Sequence, residues 1–554
     1  MQKNWWKETF VYQIYPRSFR DSNGDGIGDI PGITQSLDYL KTLGVETIWL
    51  SPIYKSPNDD NGYDVADYCD IMDDFGTMDD FDEMLAEMKK RDIRLIMDLV
   101  VNHSSDEHRW FESAKKSKLS PYRDYYIWRE GKPDGSPPNN WTSIFGGSAW
   151  EYNEATNDYY LHLFTKKQPD LNWENPFLRQ EVYKLMRFWL DKGIDGYRMD
   201  VIPFISKRRG LPDIPFHEDV PEDLTQVNWY ANGPRLHEFL HEMHENVMKH
   251  YDCMTVGEGI GVLPHQANLY VEPARRELDM IYHFDHMFAD RNFETGGLIP
   301  TPWPKIKKII DDWDKALPEE KGWNTFYLTN HDQPRPISRY GNAHSYRHKT
   351  ATMLATLLFT QRATPYMYQG EEIGMSNFPF TSVDQFNDVW MINQYNERSP
   401  QGVADEVFVK QANEWSRDHA RTPFQWNDQD QAGFTEGEPW MVVNPNYKEV
   451  NAEKAVSQAG SIFHFYRTMI ALRKMHKGLI YGDFHDLTPN HEKVYAYTRK
   501  SEQGNYLVML NVTERVQIFE WPVENSPKRL LQGNYDGRNY EGILRPFEAL
   551  IYEM

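Results

Sequence analysis

A closed (β/α)8 TIM barrel of the α/β class, with a subdomain inserted after its third strand and an antiparallel β domain at its C-terminus, is the fold this sequence predicts. Three observations carry the prediction. Short apolar runs alternate with amphipathic helical stretches over most of the chain, the signature of repeated β-α units. The strand candidates fall at 10–14, 47–50, 94–99, 196–199, 254–256, 280–283, 325–328 and 366–368, which is enough to close a barrel. Three of these runs deliver a carboxylate at or just past their carboxyl ends, Asp200, Glu258 and Asp332, and that end of a barrel is its active-site face.

Helical periodicity between strands is clearest at 78–91 and 176–192. Strands three and four lie too far apart for a single helix. Residues from about 104 to 174 are rich in Tyr, Trp, Asn, Pro and Gly, lack helical period, and read as a small domain inserted over the barrel mouth. The barrel itself takes 1–103 and 175–479, including a second long connection, about 374–460, after strand eight. From 480 to 554 the texture changes: runs at 493–498, 505–511, 516–521 and 549–552 alternate as antiparallel strands do and predict a C-terminal β-sandwich domain.

Bulk composition narrows the function. The 554 residues suffice for a large barrel with attachments. Asp and Glu number 83 against 60 Lys and Arg, a net charge of −23, whereas a phosphate backbone needs a basic face; nucleic acid is excluded as a partner and a neutral ligand favoured. Abundant aromatics (18 Trp, 33 Tyr, 28 Phe) suit stacking on flat ligand faces, although they also fill cores. Cys69 and Cys253, the only cysteines, show no disulfide pattern. No apolar leader and no run of about 18 apolar residues occurs, so neither export nor a membrane is predicted. The expectation is a cytoplasmic monomer.

The three acids suit glycoside cleavage, which needs one carboxylate facing the sugar and one protonated carboxyl beside the leaving oxygen. Arg198, two residues before Asp200, shares its face of the strand and is expected to keep it ionised. A single acid at a strand end is well explained as a loop cap or structural ion pair; three such acids are not. His103, after strand three in Asp98-Leu-Val-Val-Asn-His103, and His331, just before Asp332, stand on the same rim and can donate to sugar hydroxyls or serve as structural histidines. The loop Asp21-Ser-Asn23-Gly-Asp25-Gly-Ile27-Gly-Asp29 sets oxygen-bearing residues at alternate positions with glycines between, which suits Ca²⁺; Gly32 stands where an EF-hand wants Glu, so it is no EF-hand. His237-Glu238-Phe-Leu-His241 matches a zinc-protease pattern, but its setting is an amphipathic helix with Leu236, Phe239, Leu240 and Met243 inward, and a chance match is the better reading.

With these residues assembled, the chain resembles the α-amylase superfamily of glycoside hydrolases, from Trp5 into the C-terminal domain. The motifs occur in order: Asp98 to His103, Gly196-Tyr-Arg-Met-Asp200, Glu258 after strand five, and Asn330-His-Asp332. The resemblance implies retention through a covalent glycosyl-enzyme, with Asp200 as nucleophile, Glu258 as general acid/base and Asp332 as stabiliser. It also implies that Arg198, His103 and His331 contact the reacting sugar. Gln168-Pro-Asp-Leu-Asn172 resembles the oligo-1,6-glucosidase group, and Gly62-Tyr63-Asp64 the pocket of exo-acting members, where Tyr63 stacks beneath a terminal glucose that Asp64 holds. Phe145, Phe164, Gln168 and Arg421 match further pocket positions, and Asp21, Asn23, Asp25, Ile27 and Asp29 match that group's Ca²⁺ site.

Val201, directly after Asp200, resembles members that prefer α-1,6 bonds; a branched apolar side chain there narrows the leaving-group side, or fills core. The resemblance therefore implies an exo-acting hydrolase of short isomaltooligosaccharides. Sucrose isomerases and trehalulose synthases are the alternative on the same scaffold. Two differences favour hydrolysis: Phe284-Asp-His-Met-Phe-Ala-Asp-Arg291 replaces their Arg-Leu-Asp-Arg-Asp run, and Gln333 follows Asp332 where they tend to carry Asn. Pro203 and Gly259-Ile260-Gly261 depart from typical oligo-1,6-glucosidases at positions flanking the leaving group.

Overall fold

Eight parallel strands follow one another around the sheet in chain order: β1 (Val11–Ile14), β2 (Thr47–Leu50), β3 (Arg94–Leu99), β4 (Gly196–Met199), β5 (Met254–Gly259), β6 (Met280–His283), β7 (Thr325–Tyr327) and β8 (Thr364–Tyr368). β8 pairs with β1, and a parallel bridge from Ile281 to Asn324 joins β6 to the start of β7, closing the barrel. The structure, a computed structural model, describes residues 4–215, 227–292, 297–523, 527–537 and 540–554. The expected strands are found, and β5 runs three residues further than its apolar run. Glycine normally weakens a strand, but a Cβ at Gly257 would come within 2.6 Å of Leu278, and one at Gly259 within 2.9 Å of Ile281. These glycines admit close neighbours and let the strand carry Glu258 to the rim.

The barrel interior is aromatic. Tyr282 stacks on Tyr327 with ring centroids 3.8 Å apart, and Trp49 meets Tyr282 and Tyr366 edge-on. Around it, Met78–Lys90 starts with a capping box between Thr77 and Asp80 and buries Phe81, Met84, Leu85 and Met88, one helical face. Pro176–Lys192 begins with an Asn175 cap and Pro at its first position and stops at Gly193, whose φ of 103° is the left-handed geometry of a helix end.

Between β3 and β4 a three-stranded sheet (Trp128–Arg129, Asp158–Leu161, Trp150–Asn153) forms over the mouth. This segment shows no helical period in the sequence, and its helix Arg109–Ala114, started by His108 Nδ1 accepting from Trp110 N (3.2 Å), has six residues, too few to show one. The segment returns to the barrel where Leu171 N donates to Asn102 O (2.8 Å). After β8 come helices Val389–Arg398, Asp405–Trp415 and Asp418–Arg421, then Ile462–Met475.

The C-terminal residues form a five-stranded antiparallel sheet in the order Asp483–Asp486, Val494–Ser501, Gly504–Asn511, Ala549–Glu553, Arg529–Gly533. A ribbon of Gln517–Ile518 and Ile543–Leu544 supplies Leu544 to the cluster of Val494, Leu507 and Met509, a second layer. Lys307, fully buried on barrel helix Trp303–Ala316, enters this sheet and donates to three carbonyls, of Thr488 (2.9 Å), His491 (2.6 Å) and Val494 (2.6 Å). Among the described residues no helix is long and apolar enough to cross a membrane.

Candidate active site

Register brings the first group together: Arg198 of β4 lies between Asp98 of β3 and Val256 of β5, so its side chain reaches acids on both sides. Its Nη1 stands 2.5 Å from Asp98 Oδ1 and 2.7 Å from Asp200 Oδ1, and its Nη2 2.7 Å from Glu258 Oε2. Glu258 Oε2 also accepts from Val201 N (2.8 Å). One guanidinium thus serves three buried carboxylates. The expectation that Arg198 keeps Asp200 ionised is not what this balance produces. Burial pushes Asp200 well above the usual carboxylate range, and Glu258 and Asp98 add to the push, so Arg198 is outweighed. Asp98 rises to about 6 through burial, against the pull of Arg198 and of the Trp49 indole.

Asp332 sits in the opposite setting. Arg421 Nη2 lies 2.9 Å and Arg417 Nη1 3.1 Å from its Oδ1, and His331 Nε2 is 3.2 Å from its Oδ2. Burial would raise Asp332, but His331, Arg417, Arg421 and Arg198 hold it well below the usual range. His331 is itself lowered to about 3 by burial, so its link to Asp332 is a hydrogen bond rather than an ion pair. Gln13 Nε2 donates to His331 Nδ1 (2.8 Å), which leaves Nε2–H for Asp332. Arg417 also clasps Asp388 and lies 3.5 Å from Asp60. Despite burial, Arg417 and Arg421 keep Asp388 below its ordinary range, whereas burial lifts Asp60 to about 7.

Tyr63 forms a floor. Its ring stacks on His331 (centroids 5.2 Å, planes 7° apart) and its hydroxyl donates to Asp98 Oδ2 (3.2 Å). His103 Nδ1 accepts from Asn102, and Nε2 donates to Tyr63 O (3.2 Å) beside the Gln168 amide; burial lowers this histidine to about 4. Asp64 is placed differently from the expected sugar contact. It is fully buried, with one oxygen accepting from Ser56 (2.9 Å) and Asp60 N (3.1 Å) and the other from Asp59 N (2.8 Å). Its carboxylate ties the 56–60 loop, and that loop presents Asp60 to Arg417 and to Gln168 Nε2 (3.1 Å).

Phe145, Phe164 and Val201 share one apolar cluster with Phe204. Val201 has a φ of 35°, left-handed geometry that a β-branched residue rarely adopts, and that turn aims its N–H at Glu258. Asp60, Asp388 and Arg417 do not stand out in the sequence, and Asp98 does so only as the start of the motif that ends at His103. Arg417 had a signal, since it stands four residues before Arg421 across a short helix, where side chains share a face.

In the 21–29 loop, Asp21 Oδ1 accepts from Asn23 N and Gly24 N, Asn23 Oδ1 from Asp25 N, and Asp25 Oδ1 from Ile27 N, a chain of tight turns. Asp29 is raised by burial and also by the nearby Asp21. Asp21 accepts from Gly26 N and Thr435, and Asp29 from Ser22 and Gly32 N, so the loop's donors are all oxygens, the type a hard cation takes. Among the described residues no group of three or more His, Cys, Asp or Glu converges to hold a metal, so Asp21, Asp25 and Asp29 do not stand together as a ready-made site. In the zinc-like motif His237 Nδ1 meets Glu277 (2.7 Å) and His241 Nδ1 meets Arg275 O (2.9 Å), while Leu236, Phe239, Leu240 and Met243 are buried as expected of a surface helix. A cavity of about 570 Å³ between the inserted segment and residues 205–211, lined in part by Arg123, Trp128 and Arg209, holds none of the three acids.

The α-amylase catalytic domain pattern matches residues 13–482. The chain belongs to the α-amylase family. It is a glycoside hydrolase of that family by this match and by its relatives. It is 52% identical over 568 residues to an oligo-1,6-glucosidase of Parageobacillus thermoglucosidasius and 51% identical to one of Bacillus cereus, each alignment covering 100% of both chains. Among solved structures it is similar to the trehalulose synthase of Pseudomonas mesoacidophila MX-45, with a TM-score of 0.95, 45% identity and 99% of each chain covered.

Proposed function

We propose that the protein is a retaining exo-α-glucosidase releasing glucose from non-reducing ends of short α-1,6-linked oligosaccharides such as isomaltose, isomaltotriose and panose. One observation carries this reading: Asp200 Oδ1 and Glu258 Oε2 each stand 2.7 Å from the one guanidinium of Arg198, which draws the two carboxyls together. Carboxyls this close suit a covalent displacement, whereas an inverting pair stands about 6.5–9.5 Å apart to admit a water. The reaction requires a proton on Glu258 and an ionised Asp200.

The contacts assign the atoms. Asp200 Oδ1 is held by Arg198, so Oδ2 attacks the anomeric carbon. Glu258 Oε2 already accepts from Val201 N and Arg198, so the proton passes to the leaving oxygen from Oε1. The bond from the anomeric carbon to Asp200 forms as that to the leaving oxygen breaks. Glu258 then takes a proton from water, whose oxygen displaces Asp200. Asp332, ionised throughout, holds sugar hydroxyls with Arg417 and Asp60, while Tyr63, His103, Gln168 and His331 wall the glucose. A pocket walled in this way supports exo action. The α-1,6 preference rests on Val201 in its aromatic cluster and on the relatives' activity.

Incubation with isomaltose, maltose and sucrose tests the reading. Glucose from isomaltose in clear excess over maltose is expected; isomaltulose or trehalulose from sucrose overturns it in favour of an isomerase. Asp21, Asn23, Asp25, Ile27 and Asp29 would hold Ca²⁺, which would brace the loop after β1 and take no part in the chemistry. A melting temperature that falls in EGTA and recovers with added CaCl₂ is expected, and an unchanged one removes the ion. Cys69 and Cys253 are both free thiols, which supports a cytoplasmic location.

A further inference from the structure

The leaving group lies beside Glu258, so the residues that pack around Val201 and Ile260, just after the two acids, border its space. Residues 259–261 bring no polar side chain there, and Gly261 is packed so tightly that a Cβ would come within 2.5 Å of Val227. Helix Val389–Arg398 flanks the same cluster. Its cap, Asp388, is locked by Arg417, and Asn393 donates to Phe145 O (3.3 Å), which fixes this end of the helix at the pocket. Val389 and Trp390 pack on the cluster that holds Phe145 and Val201.

Trp390 differs from the inner aromatics in exposure. Phe145 and Phe164 are 6% and 8% exposed, whereas Trp390 is only half-buried. It is also braced. Trp415 meets it edge-on with centroids 4.9 Å apart, and the Arg291 guanidinium stands 5.6 Å from the Trp390 ring and 5.2 Å from that of Trp415. An indole held on two sides, still half-exposed and packed on the apolar cluster that includes Val201 and Ile260, suits the apolar face of a pyranose ring.

We propose that Trp390 is the stacking face for the departing sugar, and so a specificity-determining residue that favours pyranose leaving groups. This rests on the glucosidase reading above. The test compares kcat/KM for isomaltose, which carries a sugar leaving group, with that for α-D-glucosyl fluoride, which carries none. In Trp390→Ala the isomaltose-to-fluoride ratio is expected to fall about tenfold, in line with the loss of one good aromatic contact. Trp390→Phe should restore most of it. Trp390→Leu, which keeps apolar bulk without a flat face, should behave like the alanine variant and stands in for it if that variant misfolds. A ratio unchanged in the Ala or Leu variant, whatever the absolute rates, overturns the proposal. Parent enzyme that turns over neither substrate overturns the glucosidase reading instead.

Discussion

Two groups of carboxylates share one rim and are treated in opposite ways. Around Arg198, one cation faces Asp98, Asp200 and Glu258, and Asp200 is driven toward its protonated form. Around Asp332, Arg417 and Arg421 face Asp60, Asp332 and Asp388, and Asp332 is driven toward its ionised form. Solvent pulls the same way, since the Asp332 side chain is 23% exposed and that of Asp200 9%. The ratio of cations to carboxylates separates the two groups: Asp200 is raised where one cation serves three acids, and Asp332 keeps its charge where two cations flank it.

The sharpest way to break this contrast is Asp200→Asn. It should cut kcat for isomaltose by roughly 10⁴-fold or more, because it removes the nucleophile. Its melting temperature should equal or exceed the parent's, because one of three carboxylates crowding a single guanidinium becomes neutral. Activity within tenfold of the parent, or a clear loss of stability, would sink the assignment. Arg417→Met probes the other group. It strips a cation shared by Asp60, Asp332 and Asp388, so kcat/KM should fall about 10²-fold and the melting temperature should drop as well. Kinetics with calorimetry check this, and an unchanged melting temperature would mean that Arg421 alone sustains the group.

The smallest effect concerns acid. His331 is neutral in the fold, lowered to about 3, whereas a free histidine binds a proton below about 6.5. Between those values the unfolded chain takes up a proton that the folded chain refuses, so stability falls as pH drops through the window. His331→Asn should flatten the dependence of the urea midpoint on pH between 6.5 and 4. Asp60 and Asp98, raised to about 7 and about 6, act with the opposite sign, so the difference between variant and parent isolates His331. Parallel curves would show that His331 is protonated in the fold.

The barrel could be read from sequence because its strands are buried on both faces and stand out as apolar runs. β5 was cut short because glycine counts against a strand, yet at Gly257 and Gly259 the neighbours' closeness demands it. In the pocket, residues at strand ends could be placed from sequence, and those on loops could not. The stretch from Asn58 to Asp64 carries several acids, and which one faces the sugar depends on left-handed turns at Asn58, Asn61 and Gly62, a conformation no periodicity reports. Arg417 and Asp388 lie in the long connection after β8, where spacing along the chain says nothing about which side chains converge on Asp332.

Lys307 has a consequence for the chain as a piece of heritable material. Its ammonium leaves the barrel and ends on three carbonyls of the C-terminal sheet, with burial lowering it to about 8. A recombinant that exchanged that sheet for an unrelated one would strand a buried amine unless the newcomer brought carbonyls to the same point. The lysine thus works as a compatibility key between the two halves of the gene. Truncation after the last barrel helix would delete the lock and keep the key.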